Sequence, residues 1–155
     1  MKKKELRLID IENLAGCPIP NHIQVETIEF DLNAALNSDY AVQSVIACNH
    51  LASPSLFGFS STARRLLKSG PNGADYALLG AEDHEVIAER YSRVVIGSGD
   101  HGFALLAKFL VNRGVEVIVV AREGSLSRAL EKSASRVVLL SQPQSPTANE
   151  MSLVA

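Results

Sequence analysis

Short runs of branched apolar residues recur along this chain, and between them apolar positions return every three or four residues. Leu6 to Ile11 is such a run, ends in acids, and reads as a buried strand. Gly16-Cys17-Pro18-Ile19-Pro20-Asn21 follows as a loop, because two prolines cannot sit in a central strand. From Glu26 to Leu36 the apolar residues Ile28, Leu32, Ala35 and Leu36 fall at helical spacing, Asp39 closes that helix, and Val42 to Cys48 forms a second strand. Asn49 to Pro54 is a polar turn leading into a helix over Leu56 to Lys68, whose Arg64, Arg65 and Lys68 make a basic end. Ser69 to Gly73 carries every mark of a loop. Ala74 to Arg90 predicts one helix with Ala77, Leu78, Ala81, Ile87 and Ala88 as its apolar stripe and Glu82, Asp83, Glu85 and Glu89 turned to water.

The last third alternates cleanly: strand Arg93 to Ile96, a Gly-rich turn, helix Phe103 to Asn112, strand Val115 to Val120, helix Leu126 to Ser133, strand Val137 to Leu140. A βαβαβ order with continuous Val/Ile runs predicts an α/β fold whose parallel sheet is covered on both faces, since each return crossover needs a helix. One domain over residues 1–140 is expected. Residues 141–155 turn to Gln, Pro, Ser and Asn without periodicity and read as a disordered tail.

Composition changes this picture little. The chain has 155 residues, 46% of them hydrophobic, which is ample for one core. A net charge of -2 denies it a global basic field, so a nucleic-acid partner has to be held by a local patch. Cys17 and Cys48 have neither C-x-x-C spacing nor companion histidines, which argues for two reduced thiols rather than a disulfide or structural zinc. The basic start Met1 to Arg7 precedes an apolar run too short for a signal segment, and no segment approaches the roughly 20 apolar residues a membrane span requires. A cytoplasmic protein without a membrane partner is the expectation.

The acids carry the candidate chemistry. In an open parallel sheet, ligands bind outside the carboxyl ends of the strands, near the point where strand order reverses. Asp10 and Glu12 end the first strand, Asp100 follows the strand Arg93 to Ile96, and Asp75 opens a helix after a Gly-rich loop. Carboxylates converging in a cleft repel one another unless a cation neutralises them, and hard oxygen donors suit Mg²⁺ or Mn²⁺. Taken singly, each acid has an ordinary alternative use as a helix cap or turn former, Asp100 before its helix included. Asn13 has the same alternative as a turn residue.

Leu8-Ile9-Asp10-Ile11-Glu12-Asn13-Leu14 resembles the opening motif of the NYN domains, a branch of the PIN-like nucleases, in which an Asp at the first strand end is followed three residues on by Asn. Gly73-Ala74-Asp75-Tyr76-Ala77-Leu78 looks like that family's second motif, a Gly-x-Asp at the start of a helix. Val95-Ile96-Gly97-Ser98-Gly99-Asp100-His101-Gly102-Phe103 is similar to the third, usually written S-G-D-x-D-F. The resemblance covers residues 6 to 140 in order. It implies a PIN-like three-layer α/β/α sandwich and metal-dependent cleavage of RNA, with Asp10, Asp75 and Asp100 as ligands of Mg²⁺ or Mn²⁺ and Asn13 positioning metal or phosphate. Two departures stand out. Gly102 replaces the second Asp of the third motif, with Glu12, His101 and Asp83 as candidate substitutes, and the strand ahead of the second motif is shortened to Lys68-Ser69-Gly70-Pro71. Loss of a carboxylate keeps open a non-catalytic RNA- or protein-binding module on the same fold.

Gly97-Ser98-Gly99-Asp100-His101-Gly102 is also formally G-x-G-x-x-G between strand and helix, with Arg122 and Glu123 about 20 residues on where a dinucleotide's ribose or 2′-phosphate would be read. Against that reading, the Asp100 carboxylate points into the pyrophosphate's space, and two strands precede the one carrying the motif. Arg64, Arg65, Lys68, Arg113 and Arg122 are either an RNA groove or solvated charge, the second being the commoner case. Of the histidines, only His101 neighbours the acids. Leu56, Phe57 and Phe59 are covered either by the monomer's own core or by a second copy in a homodimer.

Overall fold

The computed structural model describes residues 3–36, 39–60, 62–67 and 73–142, with Tyr76 described in its backbone alone. Six parallel strands form one sheet: β1 (Lys4–Asp10), β2 (Ala41–Cys48), β3 (Arg64–Leu67), β4 (Arg93–Gly97), β5 (Glu116–Arg122) and β6 (Arg136–Leu140), in the order β3-β2-β1-β4-β5-β6. Six α-helices flank it: α1 (Ile11–Ala15), α2 (His22–Leu36), α3 (Gly73–Leu79), α4 (His84–Arg90), α5 (Ala104–Asn112) and α6 (Arg128–Ser133).

The alternation of strand side chains sorts the core into two layers. Leu6, Leu8, Val45, Val94, Ile96, Val117 and Val119 face α3 to α6, through Leu78, Ile87, Leu106, Leu110 and Leu130. Ile9, Ile46, Val95, Ile118 and Val120 face α1 and α2, through Leu14, Val25, Ile28 and Leu32. This is the expected three-layer α/β/α sandwich. The chain leaves β1 towards β2 over one face and reaches β4 over the other, so the carboxyl ends of β1 and β4, paired as far as Ile9 with Gly97, flank the reversal of strand order.

The sequence and the structure part in the middle third. No helix spans Leu56 to Lys68. A 3₁₀ segment, His50–Gly58, is followed by the edge strand β3, which pairs in parallel with β2 from Val45 opposite Arg64 to Cys48 opposite Leu67. Gly58 permits this path, because a Cβ there would come within 2.6 Å of the His22 carbonyl oxygen on α2. β3 is thus the strand ahead of the second motif. Residues 68–72, with Lys68 and most of the expected loop, lie outside the described residues, as does the expected tail from residue 143 onward.

The single helix expected over Ala74 to Arg90 is two. Asp83 does not merely face water: its carboxylate accepts the backbone N–H groups of Glu85 and Val86 and starts α4 afresh, after a turn through Gly80. Elsewhere the expected elements hold within a few residues, α2 beginning at His22 rather than Glu26. Of the apolar trio offered to a second copy, Leu56 and Phe59 are covered by the monomer's own core, and Phe57 alone is exposed.

At the amino end of the sheet, Glu5 is fully buried and paired with Arg7 at 2.7 Å and Arg93 at 3.3 Å. Removing one member of a buried charge set strands the others without a partner. Glu5→Ala is therefore expected to lower unfolding free energy by about 3–5 kcal/mol, read by urea denaturation. A change under about 1 kcal/mol would show the network to be energetically idle.

Candidate active site

The cleft lies at the carboxyl ends of β1, β2 and β4 and is lined by the acids Asp10, Glu12, Asp75 and Asp100, by Asn13 and Asn49, and by the Cys17-Pro18 loop. All four expected site residues, Asp10, Asn13, Asp75 and Asp100, thus come together. Asp10 is the last residue of β1 and shares the side of Leu6 and Leu8, the face against which α3 packs. Asp75 stands in the first turn of α3, and Asp100 follows β4. Asp10 and Asp75 are buried; Asp100 is partly so.

Asp10 and Asp100 also have the capping contacts that their positions suggested. Asp10 caps α1, its Oδ1 accepting the Asn13 N–H at 3.3 Å. Asp100 accepts the Gly102 N–H at 2.7 Å and caps a short 3₁₀ turn, His101–Phe103. Capping and a role in the cleft coexist because each contact uses one oxygen of a group with about four acceptor positions.

A clasp between β1 and β4 sets the spacing. The Ser98 hydroxyl donates to Asp10 Oδ2 at 3.3 Å and accepts the Asp100 N–H at 3.1 Å. The Asn13 side-chain oxygen accepts the Gly99 N–H at 3.0 Å. Gly99 must be glycine, since a Cβ would lie 2.1 Å from the Ser125 carbonyl oxygen. Ser98, fully buried, and Asn49 were not named as site residues from the sequence, although Ser98 opens the S-G-D stretch of the third motif directly after a strand end.

Burial and crowding together raise Asp75, Asp10 and Glu12. Burial, then hydrogen bonds to Asp10 and Asp100 and the charge of both, pushes Asp75 up to about 8. Asp10 is raised by burial and by the Asp100 charge, against opposing hydrogen bonds from Asp75, the Asn13 backbone and Ser98. Glu12 is raised by burial and by Asp10, while accepting the Asn49 N–H. Burial, with the charge of Glu12, lifts the Cys48 thiol to about 11, which fits an inert reduced cysteine. Among the described residues no group of three or more His, Cys, Asp or Glu stands in ready-made ligand geometry. The donor chemistry nonetheless fits a hard divalent cation, because carboxylate and amide oxygens dominate the lining and the protonated Asp75 occupies the place where neutralising charge is needed.

The other candidates take different places. Asp83 is occupied as a helix cap, and His101 is exposed, with Nδ1 3.5 Å from Asp100. Arg122 is buried and spent on the carbonyl oxygens of Leu14 and Ser141 and on Asp31. Arg65 donates to the carbonyl oxygens of Leu56, Phe59, Ser60 and Ala63, Arg64 to that of Ala81, and Arg113 pairs with Glu85. None of these arginines lines the cleft, and Lys68 lies outside the described residues. The dinucleotide reading fails on the same accounting. The N–H groups of Gly99, Asp100 and Gly102 already go to Asn13, Ser98 and Asp100, leaving no cradle for a pyrophosphate, and Arg122 cannot reach a 2′-phosphate.

A carboxyl whose folded pKa is raised contributes stability that is full below its unfolded value, 3.8, and is lost as pH rises through about 8. The metal-free protein is therefore expected to lose melting temperature between pH 5 and pH 9, and Asp75→Asn to flatten that slope. An unchanged slope in Asp75→Asn would locate the pH dependence elsewhere.

No helix among the described residues is long and apolar enough to cross a membrane. No curated protein matches the chain. Among solved structures, a crystal structure of a protein of unknown function from Vibrio parahaemolyticus RIMD 2210633 is similar in fold, with 18% identity, a TM-score of 0.61, and coverage of 90% of this chain and 93% of that one. A profile of the NYN domain matches residues 32–141, a stretch holding Asp75 and Asp100, while Asp10 at the end of β1 and Asn13 in α1 lie ahead of it. On that match the chain belongs to the NYN domain family, within the PIN-like nucleases.

Proposed function

We propose that this protein is a divalent-metal-dependent ribonuclease that hydrolyses RNA phosphodiesters at the cleft of Asp10, Asp75 and Asp100. The observation that carries the reading is the convergence on one cleft of three carboxylates, from β1, α3 and the loop after β4, where burial and then Asp10 and Asp100 push Asp75 up to about 8. A stability-driven sequence has no reason to assemble such a set; a cation site does. Mg²⁺ or Mn²⁺ held there would supply the Lewis acidity that polarises a phosphoryl oxygen and activates water.

The chain's own residues hold and orient. Asp10, fixed by the Ser98 hydroxyl and the Asn13 N–H, keeps one wall; Asp75 and Asp100 form the other. Asn13 positions indirectly, by holding Gly99 and so the backbone that leads into Asp100. Among the described residues no arginine or lysine lines the cleft, so a cation held by Asp10, Asp75 and Asp100 would supply the positive charge there.

Gly102 favours a second reading, a non-catalytic RNA- or protein-binding module, since a carboxylate at that position would have stood beside Asp100 and Asp75. Mn²⁺-stimulated cleavage of RNA, abolished by Asp10→Asn or Asp100→Asn, is the expected result. Equal activity in both variants sinks the nuclease reading, and absence of Mn²⁺ binding at millimolar metal selects the module. Asn13→Ala is expected to lower cleavage about 10–100-fold, as loss of an outer support does, with little change in melting temperature; an unaffected rate would show that the Asn13–Gly99 bond is not needed to place Asp100.

A further inference from the structure

We propose that Glu12 is the fourth carboxylate of this cleft and contributes its charge to holding the divalent cation, an inference that rests on the metal-site reading above. The two flanks of the cleft differ. On the flank of the His101–Phe103 turn, a Cβ at position 102 would lie 3.2 Å from Asp100 Oδ1 and 3.7 Å from Asp75 Oδ2, so any side chain there would enter the site. Glycine leaves that flank bare. On the opposite flank Glu12 lines the cleft two residues after Asp10, in the first turn of α1.

Glu12 is held in place from outside its own helix. The Asn49 N–H, at the end of β2, donates to Glu12 Oε1 and fixes the carboxylate where the ends of β1 and β2 meet. One N–H occupies one acceptor position, and among the described residues Oε2 takes no hydrogen bond that would withdraw it from the cleft. The alternatives are unsuited: Asp83 is a helix cap, His101 turns to solvent, and the Cys17 thiol on the rim is too soft for Mg²⁺ or Mn²⁺.

The competing role is a plain tether for Asn49, and Glu12→Gln separates the two, since its amide oxygen still accepts the Asn49 N–H while the charge is gone. Mn²⁺ binding is measured on the full chain by titration calorimetry and by electron paramagnetic resonance of free Mn²⁺, with metal-free melting temperature as the check on folding. Glu12→Gln is expected to weaken Mn²⁺ binding about tenfold or more at an unchanged melting temperature. Glu12→Gln combined with Gly102→Asp, which returns a carboxylate from the other flank, is expected to recover most of the loss. Wild-type affinity in Glu12→Gln, or a loss that Gly102→Asp does not restore, overturns the role of Glu12 and leaves the site of Asp10, Asp75 and Asp100 standing. No Mn²⁺ binding by the unaltered protein overturns both.

Discussion

The clasp between the ends of β1 and β4 is the constraint on which the rest of the site depends. Ser98, buried at the point where strand order reverses, gives its hydroxyl proton to Asp10 and accepts the Asp100 N–H, so one side chain sets the distance between acids 90 positions apart in the chain. Asn13 repeats the connection one layer out through Gly99. Both links need the sheet beneath them to be rigid, which the buried Val and Ile of β4 and β5 provide. A hydrogen bond of this kind is worth about 1 kcal/mol in stability, little beside the core. Its value is geometric, since without it Asp10 and Asp100 would relax apart under their own repulsion.

That repulsion defines the electrostatic character of the cleft. Three carboxyl groups stand on elements that pack for other reasons: Asp10 on a central strand, Asp75 on a helix laid over β1 and β2, Asp100 on the loop entering α5. Without a cation the structure reduces the conflict by keeping a proton on Asp75. The divalent ion proposed for this cleft would displace that proton, so its affinity should grow weaker as pH falls. The arginines take no part, because they serve the scaffold: Arg65 gathers loop carbonyls, Arg122 joins α1, α2 and the segment after β6, and Arg93 sits over Tyr40 and beside Glu5.

The sheet's right half was legible in the sequence because its strands are continuous Val/Ile runs separated by helices of ordinary length. β3 was not. Arg64-Arg65-Leu66-Leu67 is short, half polar and stabilised as a strand by pairing with β2, a contact that leaves no periodicity to read. The break between α3 and α4 was hidden for a different reason: Asp83 looks like any surface acid until its oxygens are seen to cap a new helix. The site was legible in its charged members, since acids at strand ends mark a crevice in this class of fold. Ser98 and Asn49 escaped because a hydroxyl or an amide acquires meaning only from its partner, 88 residues away for Ser98 and 37 for Asn49.

The glycines of the loop after β4 show how one sequence pattern can serve two chemistries. G-x-G-x-x-G binds a pyrophosphate when its N–H groups are free and a helix starts beneath them. Here Gly99 is glycine because the Ser125 backbone presses against it, and Gly102 leaves open the space beside Asp75 and Asp100. With the N–H groups turned inward to Asn13, Ser98 and Asp100, the loop's dipoles stabilise protein oxygens instead of a ligand's phosphates. An anion at this rim would therefore meet the carboxylates of Asp75 and Asp100 and be repelled by them. The same backbone accounting that removes the nucleotide cofactor thus gives the loop a different task, holding Asp100 in place beside Asp10.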